Sequence, residues 1–433
     1  MMYLNISDAK KLSLKYNKYM ERKMKKIIVG QSGGPTSVIN ASLAGVYFGA
    51  KKKGYDKVYG MVNGIEGLLN EKIVDLDDYF QDKNNLELLK RTPSSFLGSC
   101  RFKLGSAEKN KENYEKIFEI LDKHEINSLI YIGGNDSMDT VESLSDYAKI
   151  NNKKTNFIGV PKTIDNDLPI TDHCPGFGSA CKYIATTLRE VIQDNNCYGN
   201  TKPTVAIVEI MGRHAGWLTS AASLCKDDSC EGVDAIYLPE IPFDLDKFVE
   251  DTKKLLEKKS NIVIAVSEGI KTKDDQFICE LSNSNLLVDS FGHKELAGCA
   301  KILCNTLKEK LNIKTRDITL STLQRAASHL TSKTDLDEAY HCGIKGSELA
   351  FSGKSGQMVI MTRVNNNPYK IKYEVFNDIH KIANVEKKIP LEWIDTKNNY
   401  VKQELIDYLK PLIQGDVKQI MKDGLPQHIN LNK

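Results

Sequence analysis

Two short polar runs in the chain have residue types suited to handling anions. One is Gly133-Gly134-Asn135-Asp136-Ser137, and the other is Pro161-Lys162-Thr163-Ile164-Asp165-Asn166-Asp167. Glycines at 133 and 134 let backbone N–H groups approach an anion closely, and a helix starting behind them aims its positive dipole end the same way. Asp165 and Asp167 stand two residues apart, so in an extended chain their side chains point to one side. Paired carboxylates suit one general base and one magnesium contact, because Mg2+ takes carboxylate oxygens together with phosphate and water. Lys162 adds a cation beside them. An anion cradle, a metal contact, a base and a lysine together imply phosphoryl transfer, where catalysis is mostly positioning and charge stabilisation.

The elements that must position these runs are legible on either side. Ser128–Ile132 and Asn156–Val160 are short apolar runs that predict buried strands, and the stretch from Asp139 to Ile150 predicts a helix between them. The resulting βαβ unit puts both polar runs at carboxyl ends of neighbouring parallel strands, where open α/β sheets bind ligands. Lys26–Val29 predicts another strand, followed by the glycine-rich turn through Gly33 and Gly34 and a helix from Val38 to Lys51, a second phosphate cradle. Asn63-Gly64 to Gly67 reads as a turn. Downstream, the predicted strand Thr204–Ile210 ends at Met211-Gly212-Arg213-His214, Asn261–Val266 ends at Ser267-Glu268-Gly269, and Lys314 onward leads to Gln324-Arg325. Gln357–Thr362 predicts the final strand. From about Ile382 the chain is charged and helical in pattern, notably over Val401–Ile413, and a closing helix is expected there without chemistry.

The runs from Gly133 and Pro161 resemble the phosphofructokinase family, whose signatures are a Gly-Gly-Asp-Gly-Ser phosphate loop and a Thr-Ile-Asp-Asn-Asp catalytic loop. They resemble its pyrophosphate-dependent branch more narrowly. The ATP enzymes carry glycine at the positions of Asp136 and Lys162, whereas the pyrophosphate enzymes carry aspartate and lysine. A carboxylate at 136 fills the space that a nucleotide's α-phosphate needs, and repels it.

The resemblance implies a role for each matching residue. Asp165 is the base for the 1-hydroxyl of fructose 6-phosphate, with Asp167 beside it near the metal, and Lys162 and Arg213 stabilise the transferring group. Gly33 and Gly34 hold the donor end, and Arg101, in Leu97-Gly98-Ser99-Cys100-Arg101, bridges donor and acceptor phosphates as a bidentate guanidinium can. Thr163 and Ile164 belong to the phosphoryl-binding loop. Met211, Gly212 and Glu268 line the sugar, and Arg316, Thr322 and Arg325 bind its 6-phosphate. Asn135 marks the metal position, where the family usually has aspartate; Mg2+ is the implied cofactor. Pro35 stands where an aspartate is common, Thr322 where histidine or tyrosine is, and Thr204 where the tetrameric bacterial ATP enzymes have an arginine reaching a neighbouring subunit's substrate. His214 is expected to be structural, since Asp165 is the better placed base.

Composition sets the outer limits. With 433 residues, 41% hydrophobic and 27% charged, the chain suits a soluble protein of two or three domains. A net charge of +3 is too small to argue for nucleic acid. The 10 cysteines contain no Cys-x-x-Cys pair and predict reduced core thiols in the cytoplasm. No apolar run reaches membrane-spanning length.

The expected fold class is α/β: two Rossmann-like domains with parallel-rich sheets and the active site in the cleft between them. The expected boundaries are an N-terminal extension 1–23, a donor-binding domain 24–176 joined by 326–375, and a sugar-phosphate domain 177–325 joined by 376–433. Phe291-Gly292-His293 marks an insertion associated with long-chain pyrophosphate relatives. Small-molecule substrates and a homo-oligomer are expected, with no nucleic acid or membrane partner. The rival readings are an ATP-dependent enzyme of the same fold and a catalytically silent regulatory subunit. A lipid or NAD kinase, which also uses a Gly-Gly-Asp loop, does not account for the run from Pro161 or for Gln324-Arg325.

Overall fold

The computed structural model describes residues 24–197, 202–281, 296, 298–382 and 385–431. The expected extension 1–23 and the Phe291-Gly292-His293 stretch lie outside the described residues.

Eleven strands build two sheets. The first contains β1 (Lys26–Gln31), β2 (Lys57–Met61), β3 (Ile73–Asp75), β4 (Ser128–Gly133), β5 (Asn156–Pro161), β10 (Gln357–Asn366) and β11 (Tyr369–Phe376), in the order β11-β10-β5-β4-β1-β2-β3. The second contains β6 (Thr204–Ile210), β7 (Ala235–Tyr237), β8 (Asn261–Ser267) and β9 (Lys314–Thr319), in the order β7-β8-β6-β9 and parallel throughout. In the first sheet only the edge pairs β2–β3 and β10–β11 are antiparallel. The fold is therefore α/β with two parallel-rich sheets.

The central strands are apolar on both faces because helices cover both. On one face of the first sheet Ile27, Val29, Ile130, Ile158 and Val359 pack with residues of helix α1 (Ile39–Lys53). On the other, Ile28, Leu129, Tyr131, Phe157 and Met358 pack against Met138, Val141 and Leu144 of helix α2 (Asn135–Ile150). The second sheet divides likewise. Ala206, Val208 and Ile210 face helix α3 (Phe177–Asn196), while Val205, Ile207 and Ile264 face helix α4 (Cys299–Leu311). Helix α5 (Lys333–Phe351) crosses α1 at a glycine-to-glycine contact. A Cβ on Gly45 would lie 2.0 Å from the Tyr340 carbonyl oxygen, and one on Gly343 would lie 2.1 Å from that of Ser42.

Several elements differ from their sequence reading. α2 starts at Asn135 rather than Asp139, so Asn135 and Asp136 sit in its first turn. Gly64–Leu69 is a short helix, not a turn. β10 is not the last strand of its sheet; it turns back into β11. The tail is a closing helix only in part: Gln403–Leu409, continued by a 3-10 turn to Ile413, packs on the core of the second sheet as expected, and the rest does not. It holds short 3-10 turns, the two-residue strand pairs Ile394–Asp395 with Tyr400–Val401 and Met421–Lys422 with Leu425–Pro426, and a helix confined to Gln403–Leu409. Pro390, Pro411, Gly415, Gly424 and Pro426 interrupt any longer helix there. Residues 385–390 run as a strap without regular structure.

Candidate active site

Strand order explains where the site falls. In the first sheet β2 lies on one side of β1 and β4 on the other, so the chain changes direction between β1 and β4. In the second sheet β8 and β9 flank β6 in the same way. Such switch points leave a crevice at the carboxyl ends of the strands. The turn after β1 carries Gly33 and Gly34, and the turn after β4 carries Gly134, Asn135 and Asp136. The turn after β6 carries Met211–Arg213, and the segment after β9 carries Thr322 and Arg325. Both switch points thus contribute to one set of side chains.

The first turn is tight. Gly33 has φ +74°, a conformation that favours glycine. The Lys162 amine donates to the Gly34 carbonyl oxygen at 2.7 Å, and a Cβ on Gly33 would lie 3.1 Å from that nitrogen. Gly133 admits no side chain, because a Cβ would fall 1.9 Å from Ser137 Oγ. Asp136 is exposed in the first turn of α2, where its charge suits the helix dipole. Asn135 Nδ2 donates to the Val385 carbonyl oxygen at 2.8 Å.

The catalytic-loop candidates turn sharply. The Thr163 hydroxyl accepts from Asp165 N–H at 3.0 Å and donates to Asp165 Oδ2 at 3.2 Å. Asn166 has φ +54° and is fixed by Tyr408 and Cys174, Nδ2 donating to the tyrosine oxygen at 2.9 Å and Oδ1 accepting from Cys174 N–H at 3.1 Å. The Ile164 side chain is buried in the core of the second sheet, leaving its backbone to face the loop. Behind the loop, buried His173 bridges Asp172 and Glu338 at 2.7 Å each.

Across from this loop, Met211 N–H donates to Gln324 Oε1 at 3.1 Å and Gly212 N–H to Glu268 Oε1 at 3.4 Å. A Cβ on Gly269 would lie 2.0 Å from the Arg213 carbonyl oxygen, so this glycine lets the two turns touch. Gly34 lies beside Arg325, 3.6 Å separating its would-be Cβ from Nη1.

Charge is concentrated here. Burial pushes Lys162 down to about 8 against the pull of Asp165 and Asp167. Desolvation by the surrounding cleft raises Asp165, whose own surface is exposed, and is opposed by the Thr163 hydroxyl, Lys162, Arg213 and Arg325. Asp167 is lifted to about 7 by burial and then by Asp165. Glu268 is lifted to about 7 by burial, with Asp165 among its neighbours. Burial and then Arg101 push Arg325 down. The groups that feel one another across both sheets are therefore Lys162, Asp165, Asp167, Arg213, Glu268, Arg325 and Arg101. Clustered perturbed groups of this kind mark functional sites. Such an arrangement can remove a hydroxyl proton beside a cation-lined anion site.

Arg316 is not in this cluster. It sits on β9 opposite Ala206, five residues before Met211, or about 16 Å along the strand. Its guanidinium bonds Asp194 of α3 at 2.7 Å and lines a separate cavity of about 220 Å³ with Glu190 and Asn195. His214 contacts the Phe277 ring, and burial lowers its pKa. Sequence reasoning missed Lys387, on the strap against the catalytic loop. It lies in a charged run beside Lys388, and no pattern distinguishes one lysine from the other.

An α/β phosphotransferase site, with a phosphate cradle on one sheet and a sugar-facing turn on the other, is what fold and geometry define. The family named Phosphofructokinase matches residues 26–349, and the chain belongs to that family. The pyrophosphate–fructose 6-phosphate 1-phosphotransferase of Methylococcus capsulatus is 37% identical, the match covering 93% of this chain and 94% of that protein. The enzyme of the same name from Xanthomonas campestris is 38% identical over 94% of this chain and 96% of its own. The crystal structure of a pyrophosphate-dependent phosphofructokinase from Nitrosospira multiformis is 36% identical and superposes with a TM-score of 0.84, covering 94% of this chain and 96% of that one.

Proposed function

We propose that this chain is a pyrophosphate-dependent phosphofructokinase, transferring a phosphoryl group reversibly from pyrophosphate to the 1-hydroxyl of fructose 6-phosphate and giving fructose 1,6-bisphosphate and phosphate. The observation that carries the donor is the Lys162 amine seated at Gly34 in the first phosphate turn, with Asp136 at the head of the second. The lysine suits a pyrophosphate leaving group, and the carboxylate opposes a nucleotide's α-phosphate. The named relatives support this donor over ATP.

In this reading Asp165 accepts the proton of the 1-hydroxyl as that oxygen attacks the terminal phosphorus of pyrophosphate, and the bond to the bridging oxygen breaks. Lys162, Arg101 and Arg213 neutralise charge on the transferring and leaving groups, while the Thr163 hydroxyl orients the loop. Met211, Gly212 and Glu268 hold the sugar, and Arg325 and Thr322 its 6-phosphate. Asp167 Oδ1 is buried with no hydrogen-bond partner among the described residues, which suits a cation. Mg2+ there, with Asn135 as a weaker neutral ligand, would add positive charge beside the phosphates.

The domain division fits the same reading. We assign residues 24–176 with 326–375 to the donor half and 177–325 to the sugar half; of the expected 376–433 only 389–413 packs on the sugar half, whereas Ile379, Ile382, Ile429 and Leu431 pack on the donor sheet. No helix among the described residues is long and apolar enough to cross a membrane, and we place the enzyme in the cytoplasm as a homo-oligomer. The test is a donor comparison with fructose 6-phosphate and Mg2+. Formation of fructose 1,6-bisphosphate with pyrophosphate and not ATP is expected. Turnover with ATP alone would show that Asp136 and Lys162 do not set the donor, and no turnover with either would favour a silent subunit.

A further inference from the structure

The strap from Val385 to Ile389 joins the two halves of the site. Val385 accepts from Asn135, at the donor cradle. Two residues on, Lys387 N–H donates to the Asp167 carbonyl oxygen at 2.7 Å, and the Lys387 carbonyl oxygen accepts from Trp217 Nε1 at 2.8 Å. Ile389 N–H then donates to Glu240 Oε1 at 3.2 Å, the same oxygen that accepts from Gly216 N–H at 2.8 Å. Gly216 and Trp217 follow the turn of Met211–Arg213 after His214 and Ala215.

The Lys387 side chain folds under the catalytic loop. Its amine lies 2.9 Å from the Asp172 carbonyl oxygen, 3.2 Å from that of Thr171 and 3.4 Å from Asn166 Oδ1, with the Trp217 ring 5.3 Å away. All three oxygens belong to one loop, and that loop is strained. Asn166 has φ +54° and Ile170 has φ +72°, the latter an outlier for a β-branched residue. Ile170 is the centre of a three-residue turn closed by Thr171 N–H donating to the Pro169 carbonyl oxygen at 2.8 Å. Strained backbone persists only where its surroundings over-determine it. An ammonium that gathers carbonyls on the far side of Ile170 and an amide on the near side is such a determinant.

We infer that Lys387 is a positioning residue for phosphoryl transfer, its amine bracing residues 166–172 in the strained turn that presents Asp165 while its backbone ties that turn to Trp217, which follows Arg213 in the chain. Substrate does not touch it. The inference rests on the proposed reaction for its kinetic consequence, but its structural content, an amine that braces the loop alongside Tyr408, Arg363 and the Met361 backbone, is independent of any substrate.

The experiment compares Lys387→Met, Lys387→Arg and Ile389→Val with the wild-type full chain. Amide hydrogen exchange of residues 165–173 is read beside kcat and both KM values. Misplacing a catalytic group by about 1 Å costs about 10²-fold in rate. Lys387→Met is therefore expected to lower kcat by about that factor with both KM values within about threefold, and to speed exchange in the loop. Lys387→Arg, which keeps the charge, recovers most of both. Ile389→Val perturbs the buried strap without touching the amine and keeps kcat. Unchanged exchange of the Ile389 amide, which Glu240 holds away from the amine, shows in Lys387→Met that the strap is still seated. Unchanged loop exchange in Lys387→Met overturns the inference, as does an undiminished kcat or an equal loss in Ile389→Val. If Lys387→Met does not fold, Lys387→Gln is read in its place. If the wild type shows no turnover, the proposed reaction fails, and loop exchange alone then decides whether Lys387 holds the loop.

Discussion

At the scale of single residues, the site sets carboxylates against cations at nearly matched affinities for protons. Asp165 is the proposed base, so Asp165→Asn should lower kcat by about 10²–10⁴-fold with little change in KM for fructose 6-phosphate. Initial-rate kinetics in the sugar phosphate check this, and a near-normal kcat would remove Asp165 from the role. The pH profile follows from the same neighbours. Asp165 is raised, and Asp167 is lifted to about 7, so protonation on lowering the pH should remove the base and form the acid limb. Lys162, held down at about 8, loses its charge as pH rises and should form the basic limb. Lys162→Met removes a cation that lowers Asp165, so Asp165 rises further and the acid limb moves to higher pH, while the basic limb near 8 disappears. A kcat/KM profile whose acid limb stayed fixed in that variant would show that Lys162 does not face the base. These residue types were legible in sequence because glycines, paired aspartates and a lysine at fixed spacing leave few chemistries. Lys387 was not, because its partners are mostly backbone oxygens of a loop more than 200 residues earlier, and a carbonyl leaves no mark in a sequence.

At the scale of elements, the site depends on how helices hold the loops. Asp335 of α5 accepts from Gly176 N–H at 2.8 Å and Ser179 N–H at 2.9 Å, satisfying the start of α3 from another helix. Asp335→Ala leaves those donors buried without partners and should lower stability by about 1–3 kcal/mol, read as a shift in urea midpoint at constant m-value. His173, beneath the catalytic loop, gives a pH signature of its own. Burial would lower it, but Glu338 and Asp172 outweigh this and hold it at about 9, above its unfolded value near 6.5. A raised imidazolium stabilises the fold fully below the unfolded value and loses that contribution as pH rises through the folded one. This part of the stability should therefore fall between about pH 6.5 and 9, and His173→Gln should flatten that part of the curve. Strands such as β4 and β6 were legible because largely apolar runs leading into a glycine turn have few other readings. β3 and β7 were not; three residues each are too short to carry a period. Outside Gln403–Ile413 the tail misled for a physical reason. Its charged residues mimic a helical face, yet the strap takes its shape from bonds to Asp167, Trp217 and Glu240, which only the folded core supplies.

At the scale of the whole molecule, one residue that the resemblance assigns to the sugar phosphate stands apart from the rest. Arg325 and Thr322 follow β9 at the carboxyl edge, beside the clustered charges, whereas Arg316 points from the same strand toward α3, where Asp194 holds it at 2.7 Å. Among the described residues β9 is an edge strand, and Arg316 lines the cavity between it and α3. No rearrangement within one chain moves Arg316 some 16 Å along a hydrogen-bonded strand without breaking its register with β6. If Arg316 binds the 6-phosphate, it must therefore serve a second subunit's site, and the enzyme must be an oligomer to be fully active. This has a consequence that neither single variant reveals. Asp165→Asn disables the site in its own chain, and Arg316→Ala disables only the site to which that arginine is lent. Chains carrying one substitution each, denatured together and refolded, should form mixed oligomers in which some sites hold both an intact Asp165 and a borrowed Arg316. At fructose 6-phosphate well below the KM of the Arg316→Ala parent, activity above the sum of the two parents is expected, rising to about a quarter of wild type for random pairing in a dimer. Arg316→Ala alone should raise KM for fructose 6-phosphate far more than it lowers kcat, because the arginine binds the sugar phosphate away from the reacting atoms. Mixed oligomers no more active than their parents, together with an unchanged KM in Arg316→Ala, would leave the arginine as a partner of Asp194 and the 6-phosphate to Arg325 alone.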